Sequence, residues 1–206
     1  MVALVLLPVG LAAGLLLAPL AAPFTGGVPW TRRLAMGAVT AAVFGAIGWR
    51  AGTEAVLAAL LYLAAVGTLL AFVDVRVQRL PDRFTLPSYG VVAALLAVAV
   101  PFTGDGLSRF GHALIGMAAL FALFAVQALL VPTGVGFGDV KLAGVLGLCL
   151  GWFGTRACVT GLLVTYLVGG AIAVGVMIVR RTSKGEFPFG PPMLIGTLVA
   201  VLWAAG

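Results

Sequence analysis

Eight apolar runs, separated by short polar loops, leave this chain few ways to fold. They are Val2–Ala21, Leu34–Trp49, Ala55–Val73, Leu86–Val100, Gly111–Val131, Val140–Phe153, Ala157–Val179 and Pro191–Ala205. Runs so rich in Leu, Ala, Val and Gly suit the hydrocarbon of a membrane, where every backbone polar group must be satisfied within the protein. Helices meet that demand segment by segment. A spanning β-barrel would need polar and apolar residues in alternation, and these runs show none. Charged residues make up only 9% of the 206, against roughly 25% in a soluble domain. The expected fold is therefore all-α: a polytopic membrane helix bundle of about eight transmembrane helices. Several runs fall short of the roughly 20 residues that cross hydrocarbon, and Val140–Phe153 is the least sharply defined. Gly10/Gly14 and Gly147/Gly151 have the spacing of close helix packing in lipid.

The net charge of +6 does not point to nucleic acid, because the basic residues sit in short clusters between apolar runs. Such clusters orient a membrane protein. Loops after the first, third, fifth and seventh runs carry nine of them: Arg32, Arg33, Arg76, Arg79, Arg83, Lys141, Arg180, Arg181 and Lys184. The intervening loops carry three, Arg50, Arg109 and Arg156. The positive-inside rule puts the first set in the cytoplasm and both termini outside. Val2–Leu20 lacks the basic flank of a signal peptide, with no Lys or Arg before Arg32, and reads as a retained first span. Cys149 and Cys158 form no CxxC and read as small apolar side chains.

Six acidic residues can be weighed one at a time. Glu54 and Asp105 lie in loops on the predicted outer side, and Glu186 sits among basic residues as a counter-charge. Asp74 ends the third run directly after Ala71-Phe72-Val73, where a carboxylate is costly and marks a functional candidate. Asp82, after Leu80-Pro81, reads first as a turn or N-cap residue. Asp139 closes Gly136-Phe137-Gly138-Asp139, preceded by Pro132 and Gly134. Such a glycine-rich segment at membrane depth is tolerated where protein or a water-filled cavity satisfies its backbone.

Asp74 and Asp139 thus fall at the same cytoplasmic depth on different helices. Two carboxylates held together cannot both ionise. One keeps its proton and polarises a scissile carbonyl, while the other takes a proton from water. With one histidine, His112, and no Cys/His cluster, the chain offers no zinc-peptidase ligand set. Ser108 with His112 is a poor nucleophile and base pair in an outer loop. The alternative from another class is a small ion-coupled transporter using Asp74 and Asp139 as coupling sites. It predicts an inverted repeat, which the chain does not show.

Three blocks in order resemble the type IV prepilin peptidase family of GxGD-type intramembrane aspartic peptidases. They are Asp74-Val-Arg-Val-Gln-Arg-Leu80-Pro81-Asp82, Gly136-Phe-Gly-Asp139-Val-Lys141, and Pro188-Phe189-Gly190-Pro191. Presenilin-like peptidases share the GxGD aspartate, but the LPD and PFGP blocks favour the prepilin group. The resemblance implies Asp74 and Asp139 as catalytic pair, with Asp82, Lys141, Gly136 and Gly138 in support. Pro188, Phe189, Gly190 and Pro191 would form a substrate-side turn. Lys141 is expected to bias ionisation of the pair or to touch substrate. The implied substrate is a prepilin or pseudopilin precursor, cut between its short basic leader and its hydrophobic helix. The implied setting is the lipid bilayer of a prokaryotic cytoplasmic (inner) membrane, with the site facing the cytoplasm and no cofactor or metal. Bifunctional members carry paired CxxC motifs in an N-terminal region and also methylate the product. Here the loop after the first run, about 22 to 33, has no cysteine, so the reading is a short, peptidase-only form. Residues 1–54 are expected as an accessory transmembrane pair and 55–206 as the catalytic core.

Overall fold

The computed structural model describes residues 1–130, 136–180 and 188–205. Each apolar run becomes a helix, and there is no strand among the described residues. The order is α1 (Val2–Leu17), a 3-10 turn (Ala18–Ala21), the short α2 (Ala22–Thr25), α3 (Trp30–Arg50) and α4 (Leu57–Val77). Then come α5 (Asp82–Ala99) with a 3-10 turn (Val100–Phe102), α6 (Gly106–Leu130), α7 (Phe137–Trp152), α8 (Thr155–Arg180) and α9 (Gly190–Ala204).

Five segments are long and apolar enough to cross a membrane by length and composition: Val2–Thr25, Leu57–Val77, Asp82–Phe102, Gly106–Leu130 and Thr155–Ile178. That is fewer than the eight expected, and the other three helices show why. α3 carries Arg32, Arg33 and Arg50, while α7 and α9 have 16 and 15 residues. α7 is nonetheless the centre of the bundle: Val140 and every residue from Leu142 to Trp152 are buried. A helix apolar all round belongs inside protein, so α7 meets neighbouring helices where a longer span would meet lipid.

Glycine makes those contacts possible. A Cβ on Gly147 would lie 2.9 Å from Met117 Cα, and one on Gly151 2.7 Å from Ala113 Cα, so α6 and α7 touch backbone to backbone. Gly10 and Gly14 set α1 against α3 in the same way, 2.8 Å from Ala41 Cα and 2.7 Å from Gly37 Cα. Both expected glycine pairs therefore serve close packing. The α1–α3 pair joins the rest through Ala18, Ala21, Val28 and Met36, which pack on Leu69 and Val73 of α4. A second tie is Arg50 Nε, which donates to the Leu202 carbonyl at 2.8 Å.

These contacts also sort the ends of the bundle. Gly48 rests on Ala3 and Arg50 on Leu202, so both chain termini lie at one end. The end of α4 and the starts of α5, α7 and α9 gather at the other. Arg32, Arg33, Arg76, Arg79, Arg83 and Lys141 belong to that second end, and Arg50, Arg109 and Arg156 to the first.

Candidate active site

Asp74 sits in the last turn of α4 and is 4% exposed. The helix stops just beyond it because Gln78 turns left-handed, φ 50°. The Gln78 N–H then donates back to the Asp74 carbonyl at 2.8 Å, the single-bond form of a left-handed C-cap. The Asp74 side chain is held separately: Oδ2 accepts the backbone N–H of Gly190 at 2.9 Å. Gly190 is the first residue of α9, and a helix N-terminus presents amide hydrogens suited to an anion. A Cβ there would stand 2.8 Å from Asp74 Oδ2, so any larger residue would push the carboxylate aside. Pro191 and Pro192 follow in the first turn, where a missing N–H is no loss. Phe189 anchors the turn, its ring 6.2 Å from Phe124 and 6.0 Å from Tyr166. The PFGP block, expected to face substrate, thus meets one of the aspartates directly.

Asp139 is the third residue of α7. Its Oδ2 accepts the Gly136 N–H at 3.1 Å, while its own N–H donates to the Gly136 carbonyl at 3.0 Å. This is the acidic half of a capping box, a carboxylate reaching back to the N-cap amide. Gly138 lets the turn lie on the LPD block, since a Cβ there would be 3.0 Å from Leu80 Cβ. Asp74, in the last turn of α4, and Asp139, in the first turn of α7, lie at the same end of the bundle. Among the described residues, neither Oδ1 takes a hydrogen bond.

Asp82 and Lys141 pair with each other. Lys141 Nζ donates to Asp82 Oδ1 at 2.8 Å and Oδ2 at 2.7 Å. Asp82 opens α5 as its first residue, with Pro81 as N-cap, where a negative charge suits the helix dipole. Lys141, two residues from Asp139 in the chain, sends its ammonium to Asp82 at the start of α5. One contact here escaped the sequence reading: the Tyr89 hydroxyl donates to the Lys141 carbonyl at 2.7 Å, 52 positions away in the chain.

Below the aspartates lies an apolar cavity of about 260 Å³ between α3, α4 and α9. Ala71 and Pro191 line its site end, Ile47 and Val201 its far end. Its wall includes the Thr68 and Thr197 hydroxyls, which donate to the Ala64 and Met193 carbonyls of their own helices. His112 and Ser108 lie on α6 toward the opposite end. Among the described residues no three His, Cys, Asp or Glu side chains gather as a metal would need. Pro132, Gly134, Arg181, Lys184 and Glu186 lie outside the described residues.

The model of the type IV leader peptidase family matches residues 61–178, which contain Asp74, Asp82, Asp139 and Lys141. The chain belongs to the type IV leader peptidase family. Among the chain's relatives is a prepilin leader peptidase/N-methyltransferase of Aeromonas salmonicida, 38% identical over 160 residues, covering 76% of this chain and 50% of the relative. One of the same description from Aeromonas hydrophila is 36% identical over 191 residues, covering 88% and 60%. Another, from Neisseria gonorrhoeae, is 35% identical over 161 residues, covering 76% and 52%. The chain spans about half the length of the curated relatives it matches. Nothing in these matches supports a transporter, and no solved structure matches the chain.

Proposed function

We propose that this leader peptidase family member is a membrane-embedded aspartic endopeptidase that removes the short basic leader from prepilins or related pseudopilins. One observation carries the reading: Asp74 and Asp139 sit at the ends of two helices at one end of the bundle, and each is fixed by a backbone amide. A pair so placed shares one proton, and its titration belongs to the pair rather than to either residue. Each Oδ2 is committed to its amide, so the Oδ1 atoms are the ones to meet water and substrate. The charged carboxylate takes a proton from water, and the resulting hydroxide attacks the scissile carbonyl, which the protonated carboxyl polarises. Collapse of the tetrahedral adduct breaks the C–N bond, and the amine leaves with a proton from the pair.

The cavity beneath Ala71 and Pro191 would take apolar side chains of the stretch that follows the cleavage point, since its walls offer hydrocarbon and closed hydroxyls. The gathering of basic residues at the site end supports a cytoplasmic site with both termini outside. We infer the inner membrane and eight crossings too, with the central α7 spanning inside the bundle. Residues 1–54 then serve as an accessory pair beside the 55–206 core. The test is cleavage of a synthetic prepilin by the purified chain in detergent, alongside Asp74→Asn and Asp139→Asn. Both variants are expected to lose cleavage, and retained cleavage in either would remove this mechanism.

A further inference from the structure

Two carboxylates can share a proton only if the helices that carry them keep a fixed height relative to each other. α4 brings Asp74, α7 brings Asp139, and α5 packs against both. A slip of α7 by one residue would shift Asp139 about 1.5 Å and turn it about 100°, enough to aim it away from its partner. Something must set that register, and the contacts between α5 and α7 are unusually specific.

Asp82 and Tyr89 are seven residues apart, two helical turns, and so share one face of α5. Both grip the same residue of α7. Asp82 takes the Lys141 ammonium, and the Tyr89 hydroxyl donates to the Lys141 carbonyl at 2.7 Å, using the second lone pair that a helix carbonyl retains. Gly144, one turn on, makes room for the phenol: a Cβ there would meet the Tyr89 hydroxyl itself and lie 2.9 Å from its Cζ. The hydroxyl therefore sits in a notch of α7 with the Lys141 carbonyl beside it, and Leu80 closes on Gly138 one turn the other way. On its other side α5 is tied to α4, where Tyr62 and Ser88 share a hydrogen bond at 3.1 Å.

We propose that Tyr89, seated in the Gly144 notch, is a positioning residue that fixes the register of α7 and thereby holds Asp139 against Asp74. The inference rests on the peptidase reading but concerns a residue outside all three motif blocks. Asp82–Lys141 is a half-exposed ion pair between flexible groups, whereas Tyr89 contacts backbone and admits one geometry. Tyr89 is thus the more exacting of the two grips.

The test is Tyr89→Phe in the full chain, which keeps the ring and deletes the hydrogen bond. With a synthetic prepilin, kcat is expected to fall about tenfold with KM unchanged, the signature of lost transition-state geometry. The limbs of the pH–rate profile are expected to move as well, because they report the coupling of the pair. Gly144→Ala is expected to lower kcat at least as far, and the double variant to be no worse than Gly144→Ala alone, since both disturb one seat. Hydrogen exchange of the amides at 140–143 is expected to quicken in Tyr89→Phe. Parental kcat and pH profile in Tyr89→Phe, a loss confined to KM, or full activity in Gly144→Ala would each overturn the proposal. If the parent cleaves no prepilin, the peptidase reading has failed. The exchange comparison then decides the clamp by itself: unchanged exchange overturns it, faster exchange upholds it.

Discussion

The backbone N–H of Gly190 donates to Asp74 Oδ2 at 2.9 Å, across 116 positions of chain. The PFGP block thereby orients a carboxylate, and its glycine keeps the space that carboxylate occupies. Gly190→Ala would drive a methyl group against Asp74 and displace the carboxylate from its amide. A hydrogen bond to a charged group contributes about 1.5–3 kcal/mol, which corresponds to roughly a tenfold to hundredfold change in rate. The expected outcome is a fall of that size in kcat with little change in KM. Steady-state cleavage of a synthetic prepilin measures it, and a loss confined to KM would return Gly190 to a substrate-side role.

The ion pair between Asp82 and Lys141 is half exposed, with side chains 54% and 30% accessible. Such pairs contribute little to stability, about 0.5 kcal/mol or less after solvent screening. Asp82→Asn and Lys141→Met are each expected to leave the melting temperature in detergent within a few degrees of the parent. Their effects on kcat are expected to be non-additive, because both remove one contact on the first turns of α7. Because the ammonium points to Asp82, Lys141→Met is expected to alter the pH–rate profile no more than Asp82→Asn does. A larger change in Lys141→Met alone would restore the idea that the lysine biases the aspartate pair directly.

Much of this was legible from residue chemistry. Apolar runs forecast every long helix, since a run that shuns water and must satisfy its own backbone has one local solution. Asp74 and Asp139 stood out because charge at membrane depth is rare. Three features were not legible, each for a physical reason. α7 reads as a weak span because apolar length measures exposure to lipid, and this helix is surrounded by protein. The Gly190 and Tyr89 contacts join positions far apart in the chain, and neither residue type announces a distant partner. The pairing of Lys141 with Asp82 was hidden by Asp139, nearer in sequence but not the group the lysine reaches.

Two sets of glycines in this chain should respond to alanine with opposite signs. Gly147 and Gly151 hold α7 on the backbone of α6, and Gly151 has Ala113 Cα only 2.7 Å from where a Cβ would go. Alanine there forces the helices apart, an overpacking cost of about 1–3 kcal/mol. Gly175 of α8 has nothing within 4 Å of its would-be Cβ, so alanine there meets open space and removes the backbone freedom of glycine, a gain of roughly 0.5–1 kcal/mol. Thermal unfolding in one detergent should therefore rank Gly175→Ala above the parent and Gly151→Ala below it. Equal effects at the two sites would mean that α6 and α7 do not meet at this distance.

A shared proton also dictates how cleavage depends on pH. The pair is competent when it carries one proton: the protonated carboxyl polarises the carbonyl and the charged one accepts from water. Raising the pH removes that proton and with it the polarising group. Lowering the pH adds a second proton and abolishes the base. The profile of kcat against pH is therefore expected to be bell-shaped, with both limbs belonging to Asp74 and Asp139 jointly. Asp139→Asn leaves a single carboxylate with no partner to share a proton, so cleavage should be absent across the whole range rather than shifted along it. Restored cleavage at any pH in that variant would show that one carboxylate suffices, and the shared-proton mechanism would fall.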